Sequence, residues 1–192
     1  ISMKQIKQQS GFALLMAIIV VGVVVSVGLT ILDLTIKQLS LSTNSKDSET
    51  SLHAANAGLE CAQYWRFKEA NALESGQDIT IDCFNKSSTD SSVTDHGSGS
   101  AHVYQYDFEF DWGDTGAERC SKIKMLLFVS DNDSAGVTLN NISSIVPGYP
   151  SGTDKECDAG GRCAVISVQG YNKTCSNIGS YGTIQREVLL ES

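Results

Sequence analysis

Twenty-two consecutive residues near the start of the chain, GFALLMAIIVVGVVVSVGLTIL (11–32), carry no charge. As a helix the run is about 30 Å long, the thickness of a bilayer's hydrocarbon core. Its many Val and Ile residues would suit a buried strand if the run were shorter. Strands seldom exceed about ten residues, however, and in hydrocarbon a lone segment has only its own carbonyls to satisfy its amides. Length therefore decides for helix. Fourteen of residues 12–32 are Phe, Leu, Ile or Val. Each favours insertion by about 0.3–0.6 kcal/mol mid-membrane, about 4–8 kcal/mol together before Gly, Ser and Thr subtract from it.

The residues before this run, ISMKQIKQQSG, contain only two charges, Lys4 and Lys7, both positive. By the positive-inside rule they keep this end cytoplasmic. A secretory signal would have an apolar core of about 7–15 residues followed by a small-x-small cleavage site. Here the core is longer and no such site follows it. The conspicuous boundary lies ahead of it, between Gly11 and Phe12. A basic leader ending in Gly, with Phe opening an uninterrupted apolar helix, resembles the prepilin signal of type IV pilins and of type II secretion pseudopilins. The resemblance implies cleavage after Gly11 by a membrane prepilin peptidase and methylation of a new N-terminus at Phe12. It also implies a first membrane, then filament, contact through Phe12, Leu14, Met16 and Ile18.

Beyond residue 32 the helix is expected to continue to about 74, with Gly76 as its C-cap. No Pro interrupts residues 33–66, and Leu52, Ala55, Leu59 and Ala62 recur on one helical face. The polar stretch STNSKDSETS (42–51) is expected to weaken it, because Ser, Thr, Asn and Asp compete for backbone partners. A polar stalk entering AANAGLECAQYW (54–65) resembles PilX-like minor pilins. Major pilins carry Glu as the fifth residue after cleavage, and that position is Met16 here. A carboxylate persists in lipid only for a partner, so its absence points away from a bulk filament subunit.

After Gly76 the pattern alternates. ITIDCF (79–84) reads as a short strand and residues 87–100 as a Ser/Gly/Asp loop. AHVYQYDFEFDW (101–112) puts His102, Tyr104, Tyr106, Phe108, Phe110 and Trp112 on one face, the clearest period-two strand in the chain. Its aromatic row is expected to pack on the long helix. Further strands are expected at 120–129, briefly at 137–139, at 163–171 and at 183–190, with a long surface loop over 130–161. The expected fold is α+β: a long N-terminal helix packed on an antiparallel sheet of about four strands. The organisation is leader 1–11, membrane or filament-core helix 12–32, stalk and head-packing helix 33–76, and disulfide-bonded head 77–192.

The six cysteines, 61, 83, 120, 157, 163 and 175, all lie beyond the span. An even set on the far side of a membrane reads as disulfides. Zinc would favour closer pairs than Cys157 and Cys163, which have five residues between them. That short Gly-containing loop pairs Cys157 with Cys163, a helix-to-strand staple pairs Cys61 with Cys83, and Cys120 and Cys175 remain for each other.

The net charge is −8 with the leader's lysines included, which argues against nucleic acid as a partner. DNDSAG (131–136) places Asp131, Asp133 and Gly136 as a calcium loop would, but the twelfth position is Ile142. Asp111, Asp114 and Glu118 cluster near a turn signal, GDTG (113–116). His53, His96 and His102 adjoin no recognisable nucleophile motif. The reading is therefore not an enzyme, with no cofactor, metal or small-molecule substrate. The resemblance implies a minor pilin or pilin-like subunit whose partners are other pilin subunits, the prepilin peptidase and the assembly machinery. The precursor would sit in the cell membrane and the assembled protein in an extracellular filament, with the acidic head free for adhesion. A type II secretion pseudopilin and an uncleaved signal-anchored binding protein are the alternatives.

Overall fold

The computed structural model describes residues 9–88, 93–130 and 135–192, with backbone alone at residues 9 and 10. The chain divides into two units, Ile1–Lys46 and Asp47–Ser192. In order, the elements are α1 (Gln9–Lys68), α2 (Ala70–Glu74), β1 (Asp82–Cys83), β2 (Lys86–Ser87), β3 (Val93–Asp95), β4 (Ala101–Trp112), β5 (Arg119–Ser130), β6 (Val137–Leu139), β7 (Lys155–Cys157), β8 (Cys163–Tyr171) and β9 (Gln185–Glu191).

In the first unit α1 is continuous and every described side chain from 11 to 46 is exposed. The expected weakening near 42–50 does not occur. Thr43 Oγ1 donates to Leu39 O (2.9 Å) and Ser51 Oγ to Asp47 O (2.8 Å). These hydroxyls bond back into the helix instead of competing with it. The helix also does not run unbroken to 74. It breaks at Glu69 (φ −113°, ψ 33°) and resumes as α2. The stop at Gly76 is as expected: at φ +68° it lets Gly76 N bond Leu73 O (3.2 Å) while Gln77 N bonds Ala72 O (3.0 Å). That pair of bonds is a Schellman cap.

The second unit is an antiparallel sheet of five strands, ordered β3-β4-β5-β8-β9, with the second half of α1 against one face. The α+β expectation holds, with one strand more than the four foreseen. The addition is β3, which pairs Val93 with Tyr106 and Asp95 with Tyr104. The expected strand 79–84 shrinks to Asp82–Cys83 paired with Lys86–Ser87. Phe84 and Asn85, at φ 56° and 59°, form a tight primed turn that ends it. Ile81 is fully buried without a ladder partner of its own.

On the helix side, Tyr106, Phe108 and Phe110 of β4 lie at 1% exposure or less, against Ala55, Ala62, Leu73, Ile123, Met125, Ile166 and Val168. The middle of the aromatic row is core, as its alternation indicated; Tyr104 and Trp112 pack half-buried against it, and His102 at the end of the row bonds Asp95. Small residues set how closely α1 approaches. A Cβ on Gly170 would fall 2.1 Å from Ser51 O and 2.3 Å from Ala55 N, and one on Gly58 would fall 2.7 Å from Val168 Cγ1. Two buried hydroxyls tie the layers: Ser51 Oγ shares its one proton between Asp47 O and Ile184 O (2.8 Å each), and Ser121 Oγ donates to Ala54 O (2.7 Å).

Residues 130–161 are not simply a surface loop. β6 pairs with β7, and Val137, Leu139, Ile142, Val146 and Cys157 form a second buried cluster on Val103, Leu126, Phe128 and Val165. The short strand expected at 137–139 is β6, whereas Ile142, Val146 and Cys157 are spaced irregularly and give no periodic signal, which is why the rest of the segment reads as loop.

Candidate functional site

The apolar half of α1 is the first candidate. It is long and apolar enough to cross a membrane, and none of its most apolar stretch is buried. Phe12 is 65% exposed and Met16 48%, with Leu14 and Ile18 similarly open. Large exposed apolar side chains then continue to Leu41. An exposed apolar surface of this extent on a soluble protein marks a membrane or protein contact. The polar residues inside it are satisfied locally: Thr30 Oγ1 donates to Ser26 O (2.9 Å) and Thr35 Oγ1 to Ile31 O (2.8 Å). A spanning helix must meet its polar groups this way.

Gly11 and Phe12 lie within α1, and a Cβ at Gly11 would meet nothing within 4 Å. Among the described residues nothing covers this position. Lys4 and Lys7 lie outside the described residues. At Met16 the apolar side chain is flanked by other exposed apolar residues.

The six cysteines pair as Cys61–Cys83, Cys120–Cys175 and Cys157–Cys163, with Cα separations of 6.1, 4.8 and 5.8 Å. These are the pairs the spacing suggested. They join helix to the β1 hairpin, β5 to the segment after β8, and β7 to β8.

The acidic candidates do not assemble. Asp131 and Asp133 lie outside the described residues, and Ile142 is a fully buried core residue. Asp111 comes near Cys120 and Cys175, but those sulfurs are joined to each other and Asp111 Oδ1 accepts the Cys175 amide. Asp114 sits exposed and Glu118 half-buried in the β4–β5 turn. A cavity of about 260 Å³ beside Asp107, Glu109, Lys122 and Lys124 is crossed by two ion pairs, Lys122–Glu109 and Lys124–Asp107, which satisfy its charges internally.

The histidines hold structural partners. His53 lies 3.7 Å from Glu49 one turn back, His96 Nε2 is 2.7 Å from Gln105 Oε1, and His102 Nδ1 is 2.6 Å from Asp95 Oδ2. Asp95 also accepts the amides of Gly97 (2.8 Å) and Val103 (3.2 Å), so it clips β3 to β4. Burial raises the Asp95 pKa, but the His102 bond and these two amides outweigh it and hold the carboxyl below its usual range. Burial, reinforced by Tyr104 and Asp78, pushes the Tyr106 phenol well above its ordinary value while it donates to Leu73 O (2.7 Å).

Two features escape a reading of the sequence. The contact of Ser51, Gly58, Ser121 and Gly170 that seats the helix has as its only trace a scatter of small residues. The place of β9 at the end of the sheet follows from strand order, which alternation does not encode. No family model, curated protein or solved structure matches the chain.

Proposed function

We propose that this protein is a minor pilin or a pilin-like subunit, held in a membrane by the apolar half of α1 until assembly transfers that surface to neighbouring helices. The observation that carries the reading is the change of character along one helix. From 11 to 46 its described side chains are all exposed, and those up to Leu41 are largely apolar. From Ser51 to Ala62 it is seated by small residues on a disulfide-bonded sheet. Lipid and a helix bundle both satisfy an all-round apolar surface, so the first half serves in either setting. The head, acidic and oxidised, is the part free to make contacts outside.

The reading rests on processing at Gly11. Intact mass of the protein from its native membrane should correspond to loss of residues 1–11 with a methyl group on Phe12. Gly11→Trp should leave the chain unprocessed in the membrane and absent from sheared filaments, since a protease reading this boundary needs the backbone approach that Gly permits. Retention of residues 1–11 in the wild type would mean an uncleaved anchor. Filament entry by the Trp variant would equally overturn the proposal.

A further inference from the structure

The geometry points to a binding site for a neutral saccharide in the cavity on the outer face of the sheet, the face opposite the helix. Its floor follows from the strand register. Asp107 of β4 pairs with Lys124 of β5, and Lys124 with Ser167 of β8. In the next row Glu109 pairs with Lys122, and Lys122 with Gln169. Alternation turns these side chains away from Phe108, Ile123 and Val168, which are buried on the helix side. The floor is thus two rows of carboxylate, ammonium and uncharged polar group, with about 5 Å between strands and about 7 Å between rows.

The cavity above this floor measures about 260 Å³, and Ile145 and Pro147 form its side wall. That wall is fixed from behind: Ile142 and Val146 are fully buried in the second core cluster, and Val146 N bonds Ile142 O (2.9 Å). The size is at the small end for ligand cavities and suits one sugar ring.

The chemistry of the floor selects the ligand. Lys122 is held by Glu109 and Lys124 by Asp107, so the four charges cancel. An anion would find both cations already paired, and a metal ion would find a Lys on each carboxylate. An apolar ligand would cover two ion pairs and return no hydrogen bond, which is costly. Hydroxyl groups fit, because each both donates and accepts and the floor has capacity for both. An ammonium has three N–H donors and a carboxylate about four lone-pair sites. Ser167 Oγ gives its proton to Glu187 Oε1 (2.7 Å), which leaves its oxygen to accept. Gln169 Oε1 accepts from Tyr171 OH (2.8 Å), which leaves the amide NH2 to donate. The apolar C–H face of a sugar ring has its counterpart in Ile145 and Pro147. The ion pairs hold these side chains in place before binding, which lowers the ordering cost. The inference does not rest on the assembly reading, because no residue of α1 takes part.

The test uses the full chain, biotinylated, multimerised on streptavidin and kept in a detergent without a sugar headgroup. It is applied to an array of neutral oligosaccharides and their sialylated and sulfated forms. The expected result is retention on neutral members, unchanged as salt is raised, since an uncharged ligand is not screened. The best-retained sugar should then slow acetylation of Lys122 and Lys124 in the wild type, mapped by peptide mass, but not that of Lys86, exposed in the β1–β2 hairpin. Gln169→Glu still accepts from Tyr171 but loses the NH2 and adds an unpaired charge. Pro147→Asp replaces the exposed part of the wall. Each should weaken binding at least tenfold at a wild-type urea midpoint. If either variant loses the fold, the other and the acetylation pattern decide. Retention of no oligosaccharide or of acidic ones alone, no protection of Lys122 and Lys124, or binding indifferent to a folded variant would overturn the proposal.

Discussion

Gly170→Ala should unseat the helix from the sheet. The added methyl would lie 2.1 Å from Ser51 O, 2.3 Å from Ala55 N and 2.9 Å from Ala54 C. All three are helix backbone, so no side-chain rotation relieves the clash. Reaching ordinary contact needs a shift of more than about 1 Å. The two hydroxyl bonds across this interface, Ser51 to Ile184 O at 2.8 Å and Ser121 to Ala54 O at 2.7 Å, do not survive such a shift. Because Ser51 Oγ keeps Asp47 O, Ile184 O keeps the Asn172 amide and Ser121 Oγ keeps the Trp112 indole, each lost bond costs about 0.5–1.5 kcal/mol, and overpacking of this kind adds about 1–3 kcal/mol. Together they come to about 2–6 kcal/mol. Trp112, whose Nε1 donates to Ser121 Oγ at 2.8 Å, places a fluorophore at the interface. Urea unfolding followed by its emission, in detergent with the disulfides intact, measures the loss. Gly179→Ala, where a Cβ would meet nothing within 4 Å, is the control. A Gly170→Ala variant within about 0.5 kcal/mol of wild type would refute the close-approach reasoning.

Replacing Cys61 and Cys83 together by Ser should cost about 3 kcal/mol by the chain-entropy account of a loop closed over 22 residues; the urea midpoint should fall while membrane extraction is unchanged. Tyr106 holds its proton more tightly folded than unfolded, as do Tyr149 and Tyr171. Stability should therefore be steady below about pH 10 and fall above it, where the unfolded phenols ionise. Asp95 and Glu191 are depressed and act oppositely, contributing above about pH 4 and losing their contribution as pH falls through their folded values. Urea midpoints from pH 3 to 11 check both limbs, and Tyr106→Phe should flatten part of the alkaline slope. Under the proposed pilin-like assembly, Met16→Glu should enter filaments at wild-type levels or better, because a neighbouring N-terminal amine would meet the carboxylate; sheared fractions quantify this.

The parts legible in the sequence were those with a strong period or a hard length limit. The charge-free run at 11–32 can be little except a helix, and the alternation at 101–112 can be little except a strand with its aromatics inward. Cys157 and Cys163, so close in sequence, constrain their own pairing. The parts that were not legible depend on tertiary contact. Val93 in a Ser/Asp-rich stretch gives no strand signal, and β3 exists because Tyr104–Tyr106 offers it an edge. Ile79 and Ile81 look like strand, yet the turn at Phe84 and Asn85 diverts them into the core as single anchors. Glu69 carries no breaker signal, and the interruption of the helix there has no cause visible in composition.

The same contrast explains why α1 can be two different surfaces in one element. Where a helix is to be covered by lipid or by other helices, its side chains need only be apolar, and residues 12–32 are large and branched almost throughout. A helix seated on a sheet that is already filled with Tyr106, Phe108 and Phe110 has no such room. There the sequence turns to Ser51, Ala54, Ala55, Gly58 and Ala62, and contact is made by backbone and hydroxyls instead of side-chain bulk. Exchanging the two compositions would fail in both directions. Leu at position 58 meets Val168 and Ser121 within the space of a single methyl. A run of Ser, Ala and Gly at 12–32 forfeits most of the transfer energy, about 4–8 kcal/mol, that would favour the helix in hydrocarbon.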